Sequence, residues 1–308
     1  MSSRPRWTLA LALAAGCADF DPYGRLTALR VLAVQSEPVA PAADETTTLT
    51  PLVYAAPGDE ITATQWSWCP FPGPAADGYP CLITEADLAR LAGDDAADIP
   101  PFDLGTGATA TLTNTVSPRL LDALCTGVAG QPAAVDCTGG FPVQIRLRVT
   151  TGADEVIAVR RLRLRRAGDE ANANPRIDGL GARGGSGGEQ SLTEDAAVTL
   201  PRAVETTVHA EVAAAMAERY ATTDLDGQPT MRLERLTFSW FVESGETTPG
   251  RTTFIDGIEP FDEALEVAWK PAAIADYARD TSRLLVVVRD DRDGVAWRTA
   301  TVRLGGAP

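Results

Sequence analysis

The chain has 308 residues, with 27 Lys and Arg against 42 Asp and Glu and a formal net charge of −15. Apolar residues make up 44% of it, which is enough to build the cores of two ordinary domains, so composition excludes a disordered protein. The acidic balance argues against nucleic acid as a main partner, because a negative field repels phosphate backbones.

The chain begins with the pattern of an export signal. Two arginines lie in the first six residues, and the apolar stretch 7–15 is about half of what a bilayer span requires. The sequence AAGC at 14–17 resembles the lipobox of bacterial lipoproteins, with alanine where leucine is commonest. The resemblance implies a signal peptide over 1–16 that is removed, and acylation of the Cys17 sulfur.

A lipid on Cys17 would decide where the protein sits. Each buried methylene contributes roughly 0.8 kcal/mol, so several acyl chains would hold the protein on a membrane without a spanning helix. Ala18 follows the cysteine instead of Asp, and by the sorting rule known for enteric bacteria this favours the outer membrane. Residues 17–25 would be a short tether. The alternative is a plain secreted protein in which Cys17 is a free thiol.

The other four cysteines form two pairs with the same spacing of 12 residues, Cys69 with Cys81 and Cys125 with Cys137. An exported chain meets an oxidising compartment, so we expect disulfides, and of three connectivities we favour the two local ones. By the chain-entropy model each closed loop contributes about 3 kcal/mol. A four-cysteine zinc site is the alternative, but zinc ligands normally come in pairs roughly two to four residues apart. We expect no metal and no cofactor.

Short landmarks recur in the same order in the two halves of the chain. The recurring pairs are residues 65–69 with 237–241, 99–103 with 258–262, 117–124 with 270–277, and 154–164 with 293–304. Both members of the third pair are a proline followed by a short, helix-like stretch. Residues 167–175 contain no apolar residue larger than alanine before they end in proline, which is typical of a linker. The sequence therefore predicts tandem domains over 26–166 and 176–306.

The segments inside both halves read as strands. Apolar and polar residues alternate over 143–149 and 236–242, which indicates strands with one buried face. Residues 284–288 form a continuous apolar run, which indicates a central strand covered on both faces. The acidic turn 289–294 then predicts a hairpin into a strand over 295–304. Short strands with Pro and Gly turns predict an all-β chain of two tandem Ig-like β-sandwiches.

A Ser-Trp pair lies in the central strand of each half, Ser67-Trp68 and Ser239-Trp240. This pattern resembles Ig-like and PKD-like sandwich modules, in which such a tryptophan fills the core. With the lipobox and the closing VVVRDDRDGVAW at 286–297, the chain is similar to uncharacterised bacterial outer-membrane lipoproteins of myxobacterial type. The resemblance implies an architecture and no particular activity.

The glycine-rich stretch 178–190 matches two catalytic patterns. A G-x-G-x-x-G dinucleotide fingerprint needs a hydrophobic strand before it and a helix after it, and here polar residues and further glycines stand in those places. A G-x-S-x-G elbow around Ser186 needs a base, and the only histidine, His209, is expected to be exposed on the polar face of a strand over 204–212. We therefore expect a flexible glycine loop and no enzyme, with a serine hydrolase as the least favoured alternative.

Two acidic turns, 222–227 and 289–294, raise the question of calcium. A full calcium loop needs Asp or Asn at its first, third and fifth positions and Glu at its last. Thr222 and Arg289 stand at the opening positions, and Ala300 stands at the last position of the second turn. We interpret both segments as hairpin turns, and weak Ca²⁺ binding is the alternative.

The segment 141–166 carries seven arginines against two acids inside an acidic chain. It reads as a hairpin turning at 151–155, so outward Arg146 and Arg148 would lie across from arginines of the return strand, where like charges destabilise. The apolar residues of the return strand also change phase between 159 and 162, which predicts a bulge at Arg160–Arg161.

These arginines are the candidate binding residues. We predict that they meet an acidic surface, which is a partner protein, an anionic glycan, a lipid head group or the second domain; the residues are Arg146, Arg148, Arg161, Arg163 and Arg165. The alternative is simple pairing with Asp and Glu on neighbouring strands. The predicted function is a non-catalytic binding or assembly module anchored to the outer membrane. Carbohydrate-binding or adhesin-like and enzyme-accessory roles are the alternatives.

Overall fold

The computed structural model describes residues 22–126, 135–184, 187–223 and 228–306. The strands of the first half are β1 Arg30–Glu37, β2 Thr46–Tyr54, β3 Ile61–Cys69, β4 Asp103–Gly105, β5 Ala110–Thr113, β6 Phe141–Thr151 and β7 Glu155–Leu164. Those of the second half are β8 Gly179–Gly184, β9 Gly187–Leu192, β10 Thr199–Pro201, β11 Thr206–Glu211, β12 Arg219–Thr223, β13 Pro229–Leu233, β14 Leu236–Val242, β15 Glu246–Thr248, β16 Arg251–Phe254, β17 Glu266–Lys270, β18 Thr281–Arg289 and β19 Val295–Gly305. The α-helices are α1 Glu85–Ala92, α2 Pro118–Thr126 and α3 Phe261–Ala264, and single 3-10 turns lie at Ala75–Asp77, Gly93–Asp98 and Ala214–Met216.

The first half is a β-sandwich. A sheet of order β1-β2-β5 faces a sheet of order β4-β3-β6-β7. Trp66 and Trp68 of β3 are buried in the core between them, and α1 and α2 add Leu88 and Leu121 to it. The predicted local disulfides are both present, Cys69–Cys81 and Cys125–Cys137.

The second half is a larger β-sandwich. A sheet of order β15-β17-β11-β8-β9 faces one of order β10-β19-β18-β14-β16, and β12 pairs with β13 in a separate hairpin. Trp240 of β14 and Trp269 of β17 are fully buried in its core. The predicted strands over 236–242 and 295–304 are therefore confirmed as β14 and β19.

The two sandwiches repeat one strand order. The series β1-β2-β5 and β4-β3-β6-β7 of the first half corresponds to β8-β11-β17 and β16-β14-β18-β19 of the second. This is the Ig-like arrangement, in which the strand with the buried tryptophan pairs with the closing hairpin. The predicted all-β class with two tandem Ig-like sandwiches is confirmed.

Two of the four recurring sequence landmarks are not structurally equivalent. Residues 99–103 lead into the edge strand β4, whereas 258–262 follow the corresponding strand β16 and lead into α3. Residues 118–126 form α2, but 272–277 form only a turn in which the Tyr277 amide donates to the Ala273 carbonyl. The expectation of a helical stretch in the second copy is wrong. The repetition is therefore carried by the tryptophan strands and closing hairpins.

The two sandwiches share a third core. Leu26, Leu32, Ala33, Leu52 and Tyr54 of the first half pack against Phe241, Leu285, Val287 and Val295 of the second. Leu26 precedes β1, and the other residues are the second apolar face of β1 and β2 and of β14, β18 and β19. The continuous run 284–288 is covered on both faces, as predicted, and its second cover is the other sandwich. The four sheets form one stack with three apolar layers.

The segments predicted as tether and linker also make contacts at this junction. The amide of Leu26 donates to Val242 and the amide of Val242 to Gly24, each at 2.8 Å, so residues 24–26 run along β14. A Cβ at Gly24 would lie 2.6 Å from the Trp240 carbonyl oxygen, so this approach requires glycine. In the linker, the Asn174 amide donates to the Ser36 carbonyl at 2.8 Å.

Candidate functional site

The arginine-rich hairpin β6–β7 pairs without a bulge. Its ladder runs in constant register from Phe141–Leu164 to Thr150–Glu155, and Arg146 and Arg148 lie opposite Val159 and Ile157. The predictions of a bulge at Arg160–Arg161 and of opposed arginines are therefore both wrong. A bulge would turn the outward apolar residues of β7 toward the core, but the loop closed by the Cys69–Cys81 disulfide already covers them. Val159, for example, lines an apolar hollow with Phe71 and Leu82.

Four of the five predicted binding arginines pair with carboxylates, and within the described residues Arg146 Nε is buried without a hydrogen-bond partner. Arg161 donates to the Asp293 carboxylate at 2.8 and 3.0 Å, and Arg163 donates to the same carboxylate at 3.3 Å. Arg148 pairs with Glu155 at 3.1 Å, and Arg165 with Glu45 at 3.8 Å. Two of the five thus reach the second sandwich, which is one of the acidic surfaces predicted for them. A role in binding a separate partner stays a prediction.

The acidic turn 290–294 is organised by backbone and arginine contacts. One oxygen of Asp290 accepts the amides of Arg292 and Gly294 at 2.8 and 2.6 Å, and the other accepts from Asn172 at 3.1 Å. Burial raises the pKa of Asp290 against these hydrogen bonds. The expected hairpin turn is confirmed, and its carboxylates have partners within the chain. The other acidic turn joins β12 and β13, and its residues 224–227 lie outside the described residues.

The glycine-rich stretch is part of a sheet. Residues 179–184 form β8, which pairs with β11 and β9, so the expectation of a flexible loop is wrong for the residues described. Gly181 lies opposite His209, and a Cβ there would come within 2.3 Å of the imidazole, so the glycine lets the ring lie flat on the strand. The ring is 18% exposed, with its Nε2 3.0 Å from Glu189. The predicted exposed histidine is thus largely covered, and Ser186 lies outside the described residues.

A second group of arginines meets at the junction of the sandwiches, around a cavity of about 390 Å³. We call it the junction cavity. Arg160 of β7 and Arg289 of β18 line it together with Tyr23. The guanidinium groups of Arg30 and Arg251 stack on the Tyr23 ring at 5.2 and 5.1 Å from its centre. We call these four residues, Arg30, Arg160, Arg251 and Arg289, the junction arginines.

Burial dominates the electrostatics of the two arginines that line the cavity. It lowers the pKa of Arg160 to about 10, against the attraction of Asp293 and Asp290. It also lowers the pKa of Arg289, and the positive charge of Arg251 acts in the same direction. No sequence pattern indicated that these four residues meet, because Arg30, Arg251 and Arg289 are far apart in the chain. Only the packing of one sandwich on the other brings them together.

Comparison with known proteins finds structural likeness only. No family model and no curated protein matches the chain. Among 57 matching chains of solved structures are murine CEACAM1b (8% identity, TM-score 0.23, 89% of this chain and 99% of that one) and the D00-D0 domain of intimin (11%, 0.21, 91% and 100%). A red sea bream transglutaminase matches at 9% identity and TM-score 0.26, over 91% of this chain and 32% of that one. Scores this low carry no argument about function, and the fold assignment rests on strand order.

Within the described ranges, no helix is both long enough and apolar enough to cross a membrane. Over the same ranges, no group of three or more His, Cys, Asp or Glu side chains is arranged to hold a metal ion.

Proposed function

We propose that the chain is a non-catalytic binding module of a bacterial outer membrane, anchored by acyl groups on Cys17. The lipobox-like sequence at 14–17 supports the anchor, and it lies outside the described residues. Two acyl chains would suffice for stable attachment without a spanning segment.

The third core is the observation that carries the binding part of this proposal. Phe241 and Leu285 are 1% and 3% exposed, and they are covered by residues of the other sandwich. Two sandwiches joined by an apolar layer hold their shared surface in a fixed geometry, whereas a flexible linker would let them reorient. A fixed junction with a cavity is a feature that suits recognition.

The residues best suited to chemistry are engaged in structural contacts, which favours binding over catalysis. His209 packs on Gly181 and contacts Glu189, and Asp290 holds its own turn together. The described residues give no positive sign of a nucleophile with a base beside it. Carbohydrate-binding and enzyme-accessory roles stay alternative forms of the same module.

Metabolic labelling with an acyl precursor tests the anchor. We expect label on the wild-type chain and on the control variant Ala18→Ser, and none on Cys17→Ser, which should also leave the membrane fraction. Continued labelling of Cys17→Ser, or an unlabelled wild type, would contradict the anchor.

Co-purification in mild detergent tests binding by Arg146 and Arg148, two half-buried arginines that we call the β6 strip. Arg146 and Arg148 lie on the outer face of the sheet and do not contact Asp293, so their reversal leaves the junction intact. If the strip recognises an acidic partner, Arg146→Glu with Arg148→Glu should abolish salt-sensitive capture of that partner. Capture that survives both changes would show that the strip is structural.

A further inference from the structure

We propose that the junction cavity binds the carboxylate group of a small organic ligand or chain end, through Arg289 and Arg160. This deepens the proposed binding function by naming its ligand class, and it rests on that function but not on the lipid anchor.

The cavity forms where three chain segments meet. β1 is the edge of its sheet, and a bulge at Leu32 leaves the carbonyl of that residue unpaired. Arg289 donates to this carbonyl at 2.5 Å, and Arg160 donates to the next edge carbonyl, that of Val34, at 2.6 Å. The guanidinium groups of Arg289 on β18 and Arg160 on β7 are therefore both held by neutral carbonyl oxygens of β1.

The junction arginines lack a carboxylate partner. Among the described residues, no carboxylate oxygen of Asp or Glu lies within the 4.0 Å salt-bridge distance of any of the four. Arg160 donates besides to the Ser36 hydroxyl at 2.9 Å and to the Asp293 backbone carbonyl. Its Nε is buried and has no hydrogen-bond partner. A desolvated guanidinium without an anion is costly, so the site favours an anion that compensates for it.

The two acids that line the cavity, Asp290 and Asp293, already accept hydrogen bonds from other groups of the chain. The carboxylate of Asp293 is held by Arg161 and Arg163, and that of Asp290 by the amides of its own turn. Three arginines and two acids line the cavity, which leaves one positive charge in excess. This balance fits a monoanion. A dianion such as phosphate would place its second charge against the two aspartates.

Apolar side chains also line the cavity and fit the organic part of such a ligand. They include Val31, Ala33, Ala158 and Val159, which come from the edges of β1 and β7. A volume of about 390 Å³ falls within the range of small-molecule sites. Leu32 uses one N–H of Arg289, so the planar fork retains donors for a carboxylate, which is the anion that its geometry matches best.

Isothermal titration calorimetry on the full chain in mild detergent tests the assignment, with isobutyrate and its neutral analogue isobutyramide as probes. We expect wild type to bind isobutyrate at least about tenfold more tightly than the amide, since a charge-assisted contact contributes that much or more. Arg289→Gln should lose this preference. Arg298→Gln is the matched control, because Arg298 is exposed on the same hairpin, and it should keep the preference.

Further arms separate the sources of the carboxylate. N-acetyl-Ala-Val with a free carboxylate, compared with its amide, reports whether a chain end fits as well as a free acid. Inorganic phosphate should bind more weakly than isobutyrate. Equal binding of acid and amide by wild type, tighter binding of phosphate, or no heat with any compound would overturn the proposal. The wild-type comparison needs no variant to fold, and acyl labelling at Cys17 is unaffected by its outcome.

Discussion

Two sets of arginines meet at the turn 290–294, and the fold compensates their charges differently. Arg161 and Arg163 share the carboxylate of Asp293, which is 15% exposed. Arg160 and Arg289 donate to backbone carbonyls and to a hydroxyl. The first set is contiguous on β7, whereas the second comes from two sandwiches. Arginines of a dense run in the sequence can thus serve to hold a domain junction, as Arg161 and Arg163 do. The uncompensated charge lies where distant segments converge.

The largest effect on stability is expected from disrupting the packing between the two sandwiches, which brings both sets of arginines together. Phe241→Ala removes a ring that is 1% exposed in the third core, and such truncations cost about 3–5 kcal/mol. We expect wild type to unfold in one calorimetric transition and this variant in two, because its sandwiches then unfold separately. Ile258→Ala, at a residue 74% exposed, is the control and should change little. A variant that still unfolds in one transition near the wild-type temperature would contradict a role for the third core.

A smaller effect is expected from removing the acid that serves the paired set. Asp293→Asn keeps a residue that tolerates the left-handed backbone found here, φ 77°, and removes the charge that Arg161 and Arg163 share. The free energy of unfolding should fall by about 1–3 kcal/mol, measured by urea denaturation. Asp256→Asn, at an exposed residue, is the control. An unchanged midpoint would show that the β7 arginines do not depend on this carboxylate.

The buried acid behind the turn should make stability depend on pH. Burial raises the pKa of Glu234 from 4.5 to about 7, against a contact of 3.2 Å with Arg292. The folded state therefore binds this proton more tightly than the unfolded state does, and its contribution to stability is lost as pH rises from 4.5 to 7. Relative to Glu234→Gln, wild type should lose at most about 1.4 kcal/mol per pH unit over that range.

Thermal unfolding at several pH values checks this expectation. Glu218→Gln, beside the same arginine but 44% exposed, is the matched control. Parallel pH profiles for wild type and Glu234→Gln would contradict it.

The smallest effect on the free energy of unfolding is expected from the arginines without a carboxylate partner, Arg160 and Arg289. Its sign is opposite to that of Asp293→Asn. Arg289→Gln removes a desolvated charge and keeps an amide donor on a shorter side chain. The free energy of unfolding should rise, by less than about 1 kcal/mol. Urea denaturation beside Arg298→Gln provides the comparison. A loss as large as that of Asp293→Asn would mean that Arg289 has a structural carboxylate partner.

Features fixed by local sequence were the ones that sequence patterns predicted. The buried tryptophans, the closing hairpins and both disulfides follow from alternation, turn residues and cysteine spacing. The run 284–288 predicted a strand that is buried on both faces. It did not predict that the other sandwich covers the second face, because an apolar face has the same pattern whether a sheet of the same domain or another domain packs on it. The bulge expected in β7 failed for the same reason, since the disulfide loop covers its outer face. The junction arginines had no pattern to find, because three of them come from distant segments.

The difference between the two sets of arginines can be measured directly in one sample. The side-chain Nε signals of arginine can be followed by NMR while isobutyrate is added to the full chain in mild detergent. We predict that the signals of Arg160 and Arg289 shift and saturate together, while the signal of Arg163, which belongs to the paired set and does not line the cavity, stays in place. A shift confined to Arg163, or equal small shifts at all arginines, would contradict this prediction.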